Sequence, residues 1–254
     1  MIRLKSPKDI SQLKISGQIL ATVIESLKSA ALPGVPLKDL DKKARSIIKE
    51  FGAIPAFLGY KSKKSDKPYP AAICASVNEK IVHGVPDHYS LKSGDVLKID
   101  VGINYRGYIT DGAVTIGVGE ISPLAEKLIK ATKTALEEAI MVCHEGKKTG
   151  DIGWVIENTV KNYGFSIADK LTGHGVGFEI HEDPSIYNFG EKGTGLELED
   201  GLVIAIEPMV ATGDSSVIEN PDGSYTMKDG GLSAHFEKTI VITRNGPEVL
   251  TPIK

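Results

Sequence analysis

Cysteine is scarce. Cys74 and Cys143 are the only two in 254 residues, so neither a disulfide framework nor a cysteine-based zinc site can be assembled. Long apolar runs are also missing: no stretch approaches the roughly 20 residues of a membrane span. The opening MIRLKSPKDISQLK is charged and amphipathic and lacks the continuous apolar segment of a secretory signal. Charge of one sign is lacking too. The 30 Lys and Arg face 33 Asp and Glu, which leaves −3, too weak a field for a nucleic-acid binder working by bulk electrostatics. Neither DNA nor a membrane is expected as a partner. What remains is an ordinary globular balance of 41% hydrophobic and 25% charged residues, against disorder, collagen or coiled coil. At roughly 150 residues per domain the length gives fewer than two. The expectation is one reduced, soluble, cytoplasmic domain.

The chain nearly repeats itself. Residues 33–52 (PGVPLKDLDKKARSIIKEFG) lie beside 145–164 (EGKKTGDIGWVIENTVKNYG) at a constant offset of 112, which sets Gly34 on Gly146, Asp39 on Asp151, Ile48 on Val160 and Gly52 on Gly164. Each copy reads as one helix. Leu40, Ala44, Ile47, Ile48 and Phe51 fall on one face, and the closing glycine suits the positive φ of a C′ residue. A longer helix precedes each copy, opened by Ser6-Pro7 or Ser122-Pro123 as N-cap and N1. Leu13, Leu20, Val23, Ile24 and Leu27 form the apolar stripe of the first. After each helix pair come β-branched runs: 94–102 and 109–119, joined through NYRGY as a hairpin, then 200–210 and 233–243. Both halves thus run helix, helix, strand, strand.

Four acids stand in those apolar strands: Asp100 in VLKIDVG, Asp111 in TDGAV, Glu207 in VIAIEPM and Glu237 in HFEKTIVI. An isolated carboxylate there costs several kcal/mol unless paired or neutralised. Strand alternation puts Leu97, Ile99 and Val101 opposite Asp100, and Leu202, Ile204 and Ile206 opposite Glu207, which leaves the acids together on the other face. No run of Lys or Arg lies on these strands to answer −4. Two divalent cations would balance it, and oxygen-rich sites suit Mn²⁺, Fe²⁺, Co²⁺ or Zn²⁺.

Six histidines are available to complete such a centre. His88 lies in a turn and reads as surface; His144 sits at a helix end, where a cation favours the dipole. His174 lies between glycines in GHGVG, seven residues before His181 in IHEDP, and His83 precedes a glycine in VHGVP. Each of these three suits either a ligand role or an ordinary loop. His235 is two residues before Glu237, on the same strand face, and reads as a group that supports a metal ligand.

In this order and spacing, KIDVG, TDGAV, GHGVG, IEPMV and HFEKT resemble the type I methionine aminopeptidases over nearly the whole chain. The resemblance implies an α+β pita-bread (creatinase/aminopeptidase-like) fold: a curved antiparallel sheet covered by helices, in one catalytic domain, 1–254, with pseudo-repeats of approximately 1–119 and 120–254. It implies two divalent ions (Co, Mn, Fe or Zn) on Asp100, Asp111, His174, Glu207 and Glu237, with Asp111 and Glu237 bridging, and a monovalent cation at Asn78 and Ser233. Glu207 would shuttle a proton, His181 would stabilise the oxyanion, and His83 would contact the substrate amide. Tyr60, Tyr69 and Cys74 would line the methionine pocket with them. The activity implied is removal of the first methionine by a metal-activated water, on the N-termini of nascent polypeptides, by a monomer.

The gap of 207 − 174 = 33 residues leaves no room for a type II insertion, and the 99 residues before Asp100 leave none for the extra domain of proline dipeptidases. Competing readings are an Xaa-Pro aminopeptidase or dipeptidase of the same fold, and a non-catalytic peptide-binding module. The chain departs from the family pattern at Phe57, Ile180, His235 (usually Gln) and Lys238 (usually His), and Tyr225 stands in for a Trp in loop 212–230. Trp154 reads as core. The lysine-rich loop 61–67 reads as solvated surface, with a transient ribosome contact as the alternative.

Overall fold

The computed structural model describes residues 2–61 and 67–254. Most of the lysine-rich loop, 62–66, lies outside the described residues. Helices α1 (Pro7–Ala30) and α2 (Leu37–Glu50) lead into strands β1 (Ile54–Pro55), β2 (Ile73–Val77) and β3 (Lys80–Val82), then the long hairpin of β4 (Val96–Tyr105) and β5 (Tyr108–Gly117). The second half opens with α3 (Pro123–Met141) and α4 (Thr149–Asn162), followed by β6 (Ser166–Ile167), β7 (Thr172–Gly175), β8 (Glu182–Tyr187) and β9 (Val203–Ile206). Short strands β10 (Met209–Ala211), β11 (Val217–Glu219), β12 (Tyr225–Met227) and β13 (Ser233–His235) precede β14 (Glu237–Thr243) and β15 (Gly246–Val249).

The helix starts form as their sequences dictate. The Ser6 hydroxyl accepts from the Asp9 N–H and the Asp9 carboxylate accepts from the Ser6 N–H, a reciprocal capping box. The Ser122 hydroxyl caps α3 by accepting from the Ala125 N–H. The α1 stripe is fully buried. On α2, however, Leu40, Ala44 and Ile48 are buried while Phe51 is 45% exposed. Phe51 is the C-cap residue, where the chain turns away at Gly52 (φ +65). Trp154 is another departure: it is only half-buried, with the Lys192 Nζ 3.6 Å from its ring centroid, so its indole holds a cation at the surface instead of filling the core.

The repeat is visible in the backbone. Helix α4 follows α2 at 149 − 37 = 112 and 162 − 50 = 112. Before α2, the Gly34 N–H donates to the Leu91 carbonyl and the Leu37 N–H to Tyr89 O; before α4, Gly146 donates to Leu198 and Thr149 to Leu196. Gly34 and Gly146 both take positive φ, +91° and +83°, open to glycine at little cost.

Nine strands form one antiparallel sheet, ordered β1-β4-β5-β14-β9-β7-β8, with β15 added to β14 and β2 to β4. The β4–β5 hairpin turns through Arg106 and Gly107, both at positive φ, as a two-residue turn of matching twist requires. Two segments read as single strands are each divided. Residues 200–210 break at Glu207-Pro208, where proline has no N–H to give, and 233–243 breaks at Phe236; β10 and β13 thereby leave the main sheet for a three-stranded one with β6. The main core lies between the large sheet and all four helices, with Leu97, Ile99, Val101, Ile204, Ile206 and Ile240 from the sheet. Among the described residues no helix is long and apolar enough to cross a membrane.

Candidate metal centre

Strand register places the acids. Asp100 on β4 and Glu237 on β14 are both directly opposite Ala113 on β5, so all three side chains share a face. Asp111 is two residues from Ala113 and therefore joins them. Lys238 pairs with Ile206, and one further step along that antiparallel register sets Glu237 beside Glu207. His174 on β7 is opposite Ala205, two residues before Glu207. Small residues at 113 and 205 leave room between the larger groups. Asp100, Asp111, His174, Glu207 and Glu237 thus meet on the sheet face away from the helices.

The ring of His174 is aimed by its own strand. Its Nδ1 lies 2.9 Å from the Gly175 carbonyl, which can only accept, so Nδ1 carries the proton and Nε2 presents a lone pair. That Nε2 sits 3.4 Å from Glu207 Oε1, 3.8 Å from Asp111 Oδ2 and 4.0 Å from Glu237 Oε1. The flanking glycines are required by close approach: a Cβ at Gly173 would lie 2.4 Å from the Ala205 carbonyl oxygen, and one at Gly175 would lie 2.2 Å from that of Asp183.

His235, read from sequence as a supporting group, enters the centre itself. Its Nε2 is 3.3 Å from Glu207 Oε2 and 3.9 Å from Glu237 Oε2, and Thr115 fixes its backbone on both sides. Two sets of donor atoms each fall within 4.8 Å: Asp111, His174 and Glu237 in one, Glu207, His235 and Glu237 in the other, with Glu237 common to both. Asp100 lies beside these sets but in neither, opposite Cys74 on β2.

The cluster is electrostatically incomplete. Burial pushes Asp100 up to about 7, and burial together with the neighbouring acids holds Asp111 and Glu237 well above the carboxylate range; burial does the same to Glu207. Burial also lowers His174 and His235 to about 4, so neither supplies positive charge near neutrality. Asp100 Oδ1, Glu237 Oε1 and both His235 nitrogens are buried without a hydrogen-bond partner. Unpaired oxygen and imidazole donors, buried and converging, fit a divalent transition cation.

The centre floors a cleft of about 1590 Å³. His181, lowered to about 3 by burial and by the nearby imidazoles, packs edge-on to the His174 ring at 4.5 Å. Its Nδ1 lies 2.8 Å from the Tyr60 hydroxyl, a link the sequence did not disclose. His83, held at φ +60, meets the Tyr225 ring at 5.8 Å, so Tyr225 does reach the cleft. Tyr69 also lines it and donates to the Ile73 and Gly84 carbonyls, while Cys74 is a buried free thiol on the same wall. Phe57 packs edge-on to Tyr69, 6.4 Å between centroids, and with Ile180 closes over Gly102.

Asn78 and Ser233 come together away from the cleft. The Ser233 N–H and hydroxyl both donate to the Asn78 carbonyl, at 3.1 and 2.8 Å, and a third group joins them, the ammonium of Lys98. Sequence reading passed over this lysine, although its place two residues before Asp100 in an apolar strand was a usable sign. Asn188 was also missed: fully buried, it donates to the Glu207 carbonyl at 3.0 Å.

Metallopeptidase family M24 matches the chain across residues 11–244. A methionine aminopeptidase of Aquifex aeolicus is 43% identical, covering 99% of each chain, and methionine aminopeptidase 1 of Bacillus subtilis is 39% identical over 100% of each. The crystal structure of a methionine aminopeptidase from Thermotoga maritima superposes with a TM-score of 0.95 at 41% identity, covering 99% of each chain. A prolidase from Pyrococcus horikoshii shares the fold, with a TM-score of 0.78 at 23% identity over 99% of this chain and 64% of that one.

Proposed function

The chain belongs to metallopeptidase family M24, within the type I methionine aminopeptidases, metallo-exopeptidases that remove the N-terminal methionine, and from that premise we propose the role of each cleft residue. Asp100, Asp111, His174, Glu207 and Glu237 would hold two divalent ions, in one catalytic domain that spans residues 1–254. When bound, the ions supply Lewis acidity that makes water nucleophilic near neutral pH. Glu207 Oε accepts the proton that water gives up and returns it to the leaving amide nitrogen as the peptide bond breaks. The products are free methionine and a peptide shortened by one residue.

The histidines outside the metal shell orient the substrate. With the Tyr60 O–H donating to Nδ1, His181 keeps its proton on Nε2 and gives it as a hydrogen bond to the oxygen of the scissile carbonyl, where charge develops. Its low pKa keeps the ring a neutral donor over the working range. His83, also lining the cleft, contacts the scissile amide. Tyr60, Tyr69 and Cys74 receive the methionine side chain, whose thioether suits aromatic edges and sulfur, and Phe57 narrows that pocket. The substrates are the N-termini of nascent chains, met in the cytoplasm by a monomer.

The observation that carries this reading is the convergence of four buried acids and a preset imidazole on one sheet face, with no Lys or Arg ion-paired to them among the described residues. The test is methionine release from Met-Ala-Ser, beside cleavage of an Ala-Pro peptide, after loading with Mn, Co, Fe or Zn. Release from the first alone is expected, with two metal ions per chain and turnover abolished in Glu207→Gln. Preferential Ala-Pro cleavage, or near-normal turnover in Glu207→Gln, would overturn it.

A further inference from the structure

The ammonium of Lys98 plays no part in the chemistry above, yet it is among the most deeply buried charges of the molecule, at 1% exposure. Its Nζ donates to the carbonyl oxygens of Asn78 at 2.7 Å, Ser233 at 3.2 Å and Val96 at 3.3 Å. Three N–H donors meet three acceptors, all of them neutral main-chain oxygens. Burial lowers this amine to about 7, against the pull of Glu79 and Asp95, and the three carbonyls favour the charged form, since only the protonated amine has a donor for each. Converging carbonyls of this kind are the ligands that replace the hydration shell of a monovalent cation such as K⁺.

The three carbonyls come from both halves of the chain. Asn78 forms the β2–β3 turn at φ +55, and β3 runs directly into His83. Val96 opens β4, four residues before Asp100, and Ser233 opens β13, two residues before His235. Ser233 also closes on Asn78 through its N–H and hydroxyl. One charge therefore sits where the backbones that carry His83, Asp100 and His235 meet.

We propose that Lys98 is a covalently supplied monovalent cation: its ammonium fills a carbonyl cage that would otherwise bind free K⁺, Na⁺ or NH₄⁺, and positions the strands beneath the active centre independently of the salt in solution. Lys98 is thus a positioning residue. It touches neither substrate nor the reacting atoms.

The test compares the metal-loaded full chain in choline, sodium, potassium and ammonium chloride at equal ionic strength, by kcat/KM on Met-Ala-Ser and by melting temperature. The unmodified protein is expected to behave alike in all four. Lys98→Ala empties the cage without filling it; kcat/KM should fall about tenfold in choline chloride, the loss of one charged hydrogen-bond cluster, and recover in potassium or ammonium chloride. Lys98→Met, which puts an uncharged chain of similar length into the cage, should be impaired in every salt. Crystals grown in rubidium chloride should show the ion in the cage of Lys98→Ala and not in that of the unmodified protein. The proposal is overturned by potassium or sodium dependence of the unmodified protein, by Rb⁺ in its cage, or by a Lys98→Ala loss that no cation restores. Should Lys98→Ala fail to fold, the unmodified protein decides by the salt series and the rubidium crystal. The melting and rubidium measurements do not use catalysis, so they separate failure here from failure of the assigned reaction.

Discussion

Tyr60 and His181 lie 121 residues apart, and nothing in the spacing of the sequence announces their contact. The acids, by contrast, were legible because a carboxylate in an apolar strand is an energetic anomaly on its own, whereas a tyrosine in a loop is not. The contact has a kinetic consequence. In the proposed assignment Tyr60 donates its O–H to Nδ1 and leaves the proton of His181 on Nε2, so Tyr60 acts through His181 and not beside it. His181→Ala removes the donor and should lower kcat by about 10²–10³-fold. Tyr60→Phe leaves the ring free to take the wrong tautomer and should cost about tenfold or more, within the range of groups that orient another. Steady-state kinetics of the double variant check the coupling: it should be no worse than His181→Ala alone. Multiplied losses would mean that the two residues act separately. Lys98 marks the other limit of legibility. Strand alternation sets it on the Asp100 face, but its partners are main-chain carbonyls from three segments, which leave no trace in residue type.

Strand β7 is held from both sides by contacts only glycine allows. A Cβ at Gly175 would meet the backbone carbonyl of Asp183, and backbone cannot swing aside as a side-chain tip would. Gly175→Ala should therefore spread β7 from β8, costing about 1–3 kcal/mol of stability as an overpacked site, and should move the carbonyl that orients His174. Chemical denaturation with and without added metal checks both effects: the variant should lose stability in each and gain less from the metal. The N-terminal segment is tied to the same region by a buried pair, Lys5 Nζ to Glu182 Oε2 at 2.6 Å, with Glu182 also accepting from the Phe178 and Glu179 N–H groups. Glu182→Ala strands a buried ammonium and two amide donors, and should cost about 3–5 kcal/mol; Lys5→Met leaves the carboxylate two donors and should cost less. Equal losses in denaturation would contradict that ordering. Elements set by local chemistry were readable: the serine caps, the positive-φ glycines and the 3.6-residue stripes. The split of 200–210 and 233–243 between two sheets was not, because the break at Phe236 depends on which partner strand ends there.

At the scale of the whole molecule, the first half supplies Asp100 and Asp111 and the second supplies His174, Glu207 and Glu237, so the centre is also the seam between the repeats. Without a cation that seam is a store of repulsion, and its pH dependence has a definite sign. Asp100 is raised from 3.8 to about 7, with Asp111, Glu207 and Glu237 raised as well. Between those values the folded chain holds protons that the unfolded chain has released, so these groups make stability fall as pH rises. His174 and His235, lowered from 6.5 to about 4, act oppositely: the unfolded chain holds the extra protons, and stability rises with pH until about 6.5. Above that the histidine contribution is flat; Lys98, lowered from 10.5 to about 7 by burial, loses its proton in the folded chain first and so opposes the acids, but one amine stands against four carboxylates. The metal-depleted protein should therefore lose melting temperature from pH 6.5 to 8. A bound cation requires the acids ionised, so its binding must expel their protons. The metal-induced rise in melting temperature should accordingly grow over the same interval, and calorimetric titrations at pH 6.5 in buffers of different ionisation enthalpy should report net proton release. A metal-induced rise that stays constant with pH, or titrations that show no proton release, would mean the acids are already ionised before the cation arrives, and would move the neutralising charge from the metal to the protein.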